Sequence, residues 1–416
     1  MKGFLSMAAG LLHVVGKKGL GALLTRLAVY ILGFGAVFLM AAKIPPALFG
    51  RYSIYQASLE FGLIFASLGS SIIFARRASQ TPATVHLGDM LQTMVIGLPF
   101  AVAVTLTTLS LQNEALNLVP ISIFLVTMVV FTFNMLGLAY SRGRGSSGLL
   151  NAEAGIRAVV LMSGVGILLW SGTVIDLNML LAVNLVGAVL MCATIILSNG
   201  KLPTVGPATL RLGEQCGAAF YSLVMFSLRK ADLLVVAFFM PLPYVAAYKI
   251  AFVLAEAPSQ FIQAYLYTRT LKMLEVRRLD GTQRMSQEMA RHSLFLGCGL
   301  FAGVVALISL FSDLLKIGPE ARHIFMAMLP YFLLRTYTVH NEMLLQLHSG
   351  MNRLGHWAGV ELALKSFSYL VCFHFFPSYP HYVFFLAFIY EFLLLEIRMK
   401  MAWGHFPILR LFRSTT

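Results

Sequence analysis

Along the chain, long apolar runs alternate with short polar stretches, and about 20 apolar residues in a helix rising about 1.5 Å per residue cross a hydrocarbon layer of roughly 30 Å. Twelve such runs begin near Leu20, Ile54, Leu87, Ile121, Ala154, Val174, Gln215, Tyr244, Ser293, Ile324, Ala358 and Tyr382. The connections before Val174 (SGTV) and Tyr382 (PSYPH) are very short. No run alternates with a period of two, so the pattern predicts an all-α polytopic membrane protein of about twelve transmembrane helices.

Composition sharpens this expectation. Only 12% of the residues are charged and 58% are hydrophobic, against about 25% charged in soluble domains, so little of the chain remains for a soluble domain. The net charge of +14 then reports topology rather than nucleic-acid binding. On one side of the predicted spans fall 20 Lys and Arg, among them Lys17, Lys18, Arg76, Arg77, Arg142, Arg144 and six between Arg269 and Arg291; the other side receives only Lys43, Arg51, Lys316 and Arg322. Basic loops face the cytoplasm. The expected placement is therefore a multi-pass protein of the bacterial inner membrane with both termini cytoplasmic. The opening MKGFLSMAAGLLHVVGKKG reads as an interfacial lead-in helix rather than a cleaved signal peptide, because Lys17 and Lys18 interrupt its apolar run. Cys192, Cys216, Cys298 and Cys372 lie within apolar segments without a CxxC pair, which predicts neither a disulfide framework nor a zinc site.

An internal repeat divides the chain. A constant offset of 196 residues aligns PPALFGRYSIYQASLE with PLPYVAAYKIAFVLAE, matching Pro45 with Pro241, Tyr52 with Tyr248, Ile54 with Ile250 and Glu60 with Glu256. Six spans per half give both halves one orientation, so the expected symmetry is a pseudo-two-fold axis along the membrane normal. The expected organisation is a lead-in (1–19), an N-terminal six-helix bundle (20–198), a cytoplasmic linker (199–214), a C-terminal six-helix bundle (215–405) and a cytoplasmic tail (406–416).

Charged residues inside the spans are the candidate chemistry, since an ionised group in hydrocarbon costs about 3 kcal/mol or more and must find a partner or a water-filled cavity. In YSLVMFSLRKADLLVVAFFM, Arg229 and Asp232 stand three apart and are expected to neutralise each other on one helix face. Lys230 points elsewhere and needs another partner, with Glu60 or Glu256 as candidates for it and for Lys249. Glu361 with Lys365, and Glu153 with Arg157, have the stabilising i,i+4 order. Arg335 is a candidate cavity cation, and Glu391 is read as structural. Tyr52, Tyr55, Tyr244, Tyr248, Tyr265 and Tyr267 fall near span ends, where an interfacial belt is the ordinary expectation.

The opening LTRLAVYILGFGAVFLMAAKIPPALFGRYSIYQASLEFGLIFASLGSS, with its Thr-Arg at the first helix and G-x-Y turn into the second, resembles polysaccharide flippases of the multidrug/oligosaccharidyl-lipid/polysaccharide exporter superfamily. The segment YSLVMFSLRKADLLVVAFFMPLPYVAAYKIAF is similar to the seventh and eighth helices of that family. Two features depart from its pattern: Ala247 stands where a Gly is expected, and PPAL replaces an acidic first turn. The resemblance implies translocation of an undecaprenyl-pyrophosphate-linked oligosaccharide by two rocking halves. It implies Arg26 as a contact for the lipid pyrophosphate and Asp232 as a sensitive acid. The substrate-binding candidates are thus Arg26, Arg229, Lys230 and Arg335, and the coupling or cavity acids Asp232, Glu60 and Glu256. The expected partners are the polyprenyl-pyrophosphate-linked glycan, membrane lipids and glycan polymerase machinery, with no nucleic acid. No cofactor is expected beyond a coupling H+ or Na+.

Two other functions compete. A multidrug or organic-cation antiporter of the same fold would favour a cavity dominated by acids. An integral-membrane glycan polymerase or transferase would need a sizeable outer loop or acidic residues at its entrance, and the predicted outer loops are short. No HExxH, GxSxG or GxxxxGK[ST] pattern occurs, which leaves metalloprotease, serine hydrolase and intrinsic ATPase chemistry without support.

Overall fold

The computed structural model describes residues 28–80, 85–112, 117–144, 147–198, 202–275, 296–310, 317–348, 351–377 and 379–403. Among them every regular element is helical, and the one β-bridge is an isolated parallel contact between His86 and Thr204. The helices are α1 (Ala28–Lys43), α2 (Pro46–Ser67), α3 (Ser70–Gln80), α4 (Leu87–Leu111), α5 (Leu118–Gly143), α6 (Ser147–Trp170) and α7 (Leu177–Leu197) in the first half. The second half contributes α8 (Leu212–Arg229), α9 (Asp232–Phe239), α10 (Leu242–Glu275), α11 (Leu296–Leu310), α12 (Pro319–His348), α13 (Met351–Phe375) and α14 (Val383–Trp403).

Where α2–α3 and α8–α9 are each taken as one broken run, these helices occupy the twelve positions read from the hydropathy. By length and composition, α4, α5 and α7 can each cross a membrane, and the bent pair α2–α3 passes the same test as one span. Only 28% of the most apolar window of α4 is buried and 33% of that of α7. Their open faces carry Leu91, Val95 and Phe100 on α4 and Val186, Val189 and Leu190 on α7, apolar surfaces suited to lipid rather than water.

Local sequence explains where the helices start and break. At α2, Pro45 caps and Pro46 opens the helix, where a missing N–H costs nothing. At α4, the Asp89 carboxylate accepts from His86 N at 2.9 Å in a capping box. The same carboxylate accepts from the backbone N–H groups of Thr209 and Leu210, while Thr204 and Gly206 carbonyls accept from Leu87 and Gly88. The segment joining α7 to α8 is therefore strapped across the start of α4. At α7, Asp176 caps Met179 N at 2.8 Å.

The α2–α3 elbow follows from two left-handed residues, Leu68 (φ 46°) and Gly69 (φ 63°), which turn the chain by 58°. Gly69 is required twice over. Its φ disfavours a side chain, and a Cβ there would lie 2.3 Å from the Ala218 carbonyl carbon and oxygen on α8. Gly69→Val is expected to lower thermal stability by about 3 kcal/mol or more, combining backbone strain and overpacking; a fluorescence-detected melt in detergent that left the wild-type midpoint unmoved would show that the elbow does not seat on α8.

The repeat is visible in the local geometry. Helix α1 ends at Lys43, Pro45 follows and α2 begins at Pro46; 196 residues later α9 ends at Phe239, Pro241 follows and α10 begins at Leu242. Of these, α2 and α10 pack on each other directly. A Cβ on Gly50 would lie 2.2 Å from the Leu242 carbonyl oxygen, so glycine permits the close approach of α2 to the start of α10. Tyr52 and Tyr248 are 2% and 0% exposed. With Tyr55 and Tyr244 also buried, these four rings belong to the core instead of the expected interfacial belt. Sequence position near a span end misled because α2 and α10 bury their early turns against each other. Tyr265 and Tyr267 have side chains outside the described set.

Candidate functional site

Among the described residues, two charged groups form around the break between α8 and α9. The first begins on α2, where Tyr52, Gln56 and Glu60 succeed one another at i,i+4 spacing on one stripe. The Tyr52 hydroxyl accepts from Gln56 Nε2 at 2.7 Å and from Asn184 Nδ2 on α7 at 2.8 Å. One turn further, Glu60 Oε2 accepts from Lys230 Nζ at 2.7 Å. Lys230 thus finds its partner in the first half of the chain.

Other charges converge on this pair. Lys249 and Glu256 from α10 and Arg157 from α6 lie within electrostatic reach of Lys230. Glu256 also accepts from Gln260 Nε2 at 2.7 Å. Arg157 has the i,i+4 contact with Glu153 expected from sequence, at 3.7 Å, and lays its guanidinium over the Phe131 ring at 4.8 Å. A mixed set of three cations and three acids, contributed by α2, α6, α10 and the end of α8, is thus electrostatically coupled.

The Glu60 and Lys230 side chains remain 35% and 40% exposed. Ionised groups that open toward hydrocarbon would carry a cost of several kcal/mol. The pair is thus partly accessible where α2 faces the end of α8.

The second group lies on the other side of the break. Asp232, the first residue of α9, is 1% exposed. Its Oδ1 pairs with Lys365 Nζ at 2.7 Å and accepts from the Tyr369 hydroxyl at 2.5 Å. Lys365 and Tyr369 are one turn apart on α13. Arg335 on α12 and Glu391 on α14 are electrostatic neighbours of Lys365, and both are buried. The Arg335 guanidinium sits 5.8 Å from the centre of the Phe332 ring.

Two features of this group differ from the local pattern of the sequence. The one-face argument joining Arg229 to Asp232 assumed a continuous helix, whereas α8 ends at Arg229 and α9 begins at Asp232; Asp232 meets Lys365, a partner the sequence did not suggest. Lys365 for its part reaches across the helix interface to Asp232, with Glu361 one turn earlier on the same helix. Arg335 belongs to this second group and not to the Glu60–Lys230 cluster. Arg26 lies outside the described residues, as does the side chain of Arg229.

The carboxamides Gln56 and Asn184 escaped sequence reasoning, which weighed only ionisable groups. Their signal was available in the i,i+4 stripe from Tyr52 to Glu60. Asn184, 128 residues from Gln56, left no local trace.

The fold and the placement of its charges can now be set beside known proteins. No protein-family model matches the chain, and no curated protein matches it. Solved structures do. An inward-facing conformation of a multidrug resistance MATE family transporter of the MOP superfamily aligns over 95% of this chain and 100% of its own, with a TM-score of 0.62 at 12% identity. An outward-facing conformation of such a transporter gives a TM-score of 0.56 at 11% identity, over 94% of each chain. A MOP superfamily transporter from Pyrococcus furiosus, described as having a binding pocket of reverse polarity that suggests a different function, gives 0.56 at 12% identity over 94% of each. The chain has the fold of these transporters.

Proposed function

We propose that the protein is a secondary transporter working by alternating access, in which two six-helix halves rock about the Glu60–Lys230 cluster and exchange an amphipathic organic solute for an ion. The observation that carries this reading is the half-open Glu60–Lys230 pair, held between the two halves of a fold otherwise found in transporters. A charge pair at such a place can open and close with the halves, and a solute or a coupling H+ or Na+ can compete for either member. The higher likeness to an inward-facing neighbour, with α2 and α10 tight at their first turns, supports an inward-open state of a multi-pass protein whose termini are cytoplasmic.

Among substrate classes, the named neighbours favour multidrug antiport. The direct experiment uses purified protein in liposomes with an imposed pH or Na+ gradient. Gradient-dependent accumulation of a fluorescent organic cation is expected; a flux equal to that of empty liposomes for every organic ion tested overturns the antiport reading.

A second reading is favoured by the resemblance of the two quoted segments to polysaccharide flippases, with Lys230, Lys249 and Arg157, balanced here by Glu60, Glu256 and Glu153, as cations for which a phosphate could compete. It is the lipid-linked oligosaccharide flippase of the bacterial inner membrane, with a polyprenyl-pyrophosphate headgroup meeting these cations and with Arg26 as a further contact. In the same liposomes, that reading is distinguished by protein-dependent exposure of an undecaprenyl-pyrophosphate-linked oligosaccharide to an external glycosidase.

A further inference from the structure

The α8–α9 break has an unusual hydrogen-bond register. In an unbroken helix, the Ala231 N–H would donate to the Ser227 carbonyl, four residues back. Here Ala231 N donates to Phe226 O at 3.2 Å, five residues back, and Lys230 N donates to the same oxygen at 2.7 Å. Lys230 takes φ −134°, outside the helical range, while Ala231 stays helical at −65°, −15°. This is one wide turn inserted in a helix.

The wide turn releases the Ser227 carbonyl, and Lys365 Nζ donates to it at 3.4 Å. The same ammonium holds Asp232. Lys365 thus places a positive charge against the last carbonyls of α8, and Asp232 places a negative one in the first turn of α9, each matching the partial charge of its helix end. Side chains inserted in the main-chain ladder are a recognised cause of helix breaks.

We propose that Lys365 is a positioning residue for the transport site: by replacing the backbone donor lost at Ser227 and anchoring Asp232, it keeps the wide turn in place and so aims Lys230 at Glu60. This rests on the reading of the Glu60–Lys230 cluster as the transport site, although the hinge itself does not. Without Lys365, Ala231 N returns to Ser227 O. One residue is then removed from the register, and α9 rotates against α8 by about 100°. Lys230, at the pivot, leaves Glu60.

The test is a spin-label distance between Phe220→Cys on α8 and Phe238→Cys on α9, positions 57% and 53% exposed, in protein whose four native cysteines are replaced by alanine. Lys365→Met is expected to move the distance maximum by several ångströms, and Lys365→Arg to keep it. Because Lys365→Met leaves the Asp232 carboxylate buried, the double variant Asp232→Asn/Lys365→Met, which removes both charges of the pair, carries the same expected shift in a protein that folds. The exchange Asp232→Lys/Lys365→Asp retains an ion pair but sets a carboxylate against the Ser227 carbonyl, so it is expected to shift as well. An unchanged distance in the double variant, or a wild-type distance in the exchange, overturns the proposal. The measurement needs no substrate. A shifted distance with undiminished transport would leave the hinge standing and remove the Glu60–Lys230 cluster from the transport site.

Discussion

Asp232→Asn is expected to cost the folded protein about 3–5 kcal/mol, the usual effect of leaving one member of a buried ion pair alone. Lys365 is 2% exposed, too deep for its ammonium to recover water, and asparagine offers it a dipole in place of a charge. A thermal melt in detergent should show a midpoint lower by many degrees. Adding Lys365→Met should restore most of the loss, because an apolar side chain of similar length removes the stranded charge and Tyr369 can still donate to the asparagine oxygen. The cycle thus separates the pair's small net stabilisation from the large penalty of breaking it. Equal stability in Asp232→Asn and the wild type would mean that Lys365 and Asp232 are not paired in the folded protein.

The second large effect belongs to transport. Glu60→Gln and Lys230→Met are each expected to lower the initial rate roughly ten-fold or more, about 1.4 kcal/mol, while leaving the melting midpoint close to the wild type. The contrast with Asp232 follows from exposure. At 35% and 40% exposed, these side chains are screened and contribute little to stability, so what their loss changes is the site they line. Combining the two substitutions should cost less than the sum, as members of one contact do. Full rates in both single variants, measured in liposomes at matched protein content, would place the pathway elsewhere.

Much of this architecture was legible because a membrane fold is constrained by length and hydropathy. Twelve apolar runs, the 196-residue repeat and the start of α10 after Pro241 follow from patterns that water and lipid impose on any helix. The i,i+4 pair of Glu153 and Arg157 was legible for the same reason, since α6 is unbroken there. The break after Arg229 was not. LRKADLL contains no proline or glycine and reads as continuous helix; what interrupts it is an ammonium from α13, 135 residues downstream in sequence number. Once that break is placed, Asp232 opens a new helix and its carboxylate meets Lys365 of α13. The buried tyrosines were misplaced by a similar omission. Tyr52 and Tyr248 lie at helix ends by count but at the contact of α2 and α10 in space, and only Gly50, a residue with no side chain to notice, marks that contact in the sequence.

The central claim is that the two halves separate and rejoin around the Glu60–Lys230 cluster during transport. It is tested most directly by locking α2 to α10 at their starts. Ala47 and Pro243 are exposed and lie close in sequence to the Gly50–Leu242 contact, so cysteines there can be joined by a cleavable bis-maleimide in a cysteine-free protein in liposomes. Transport is predicted to stop on cross-linking and to return when the linker is cleaved. Undiminished transport through a fully cross-linked protein would contradict the account.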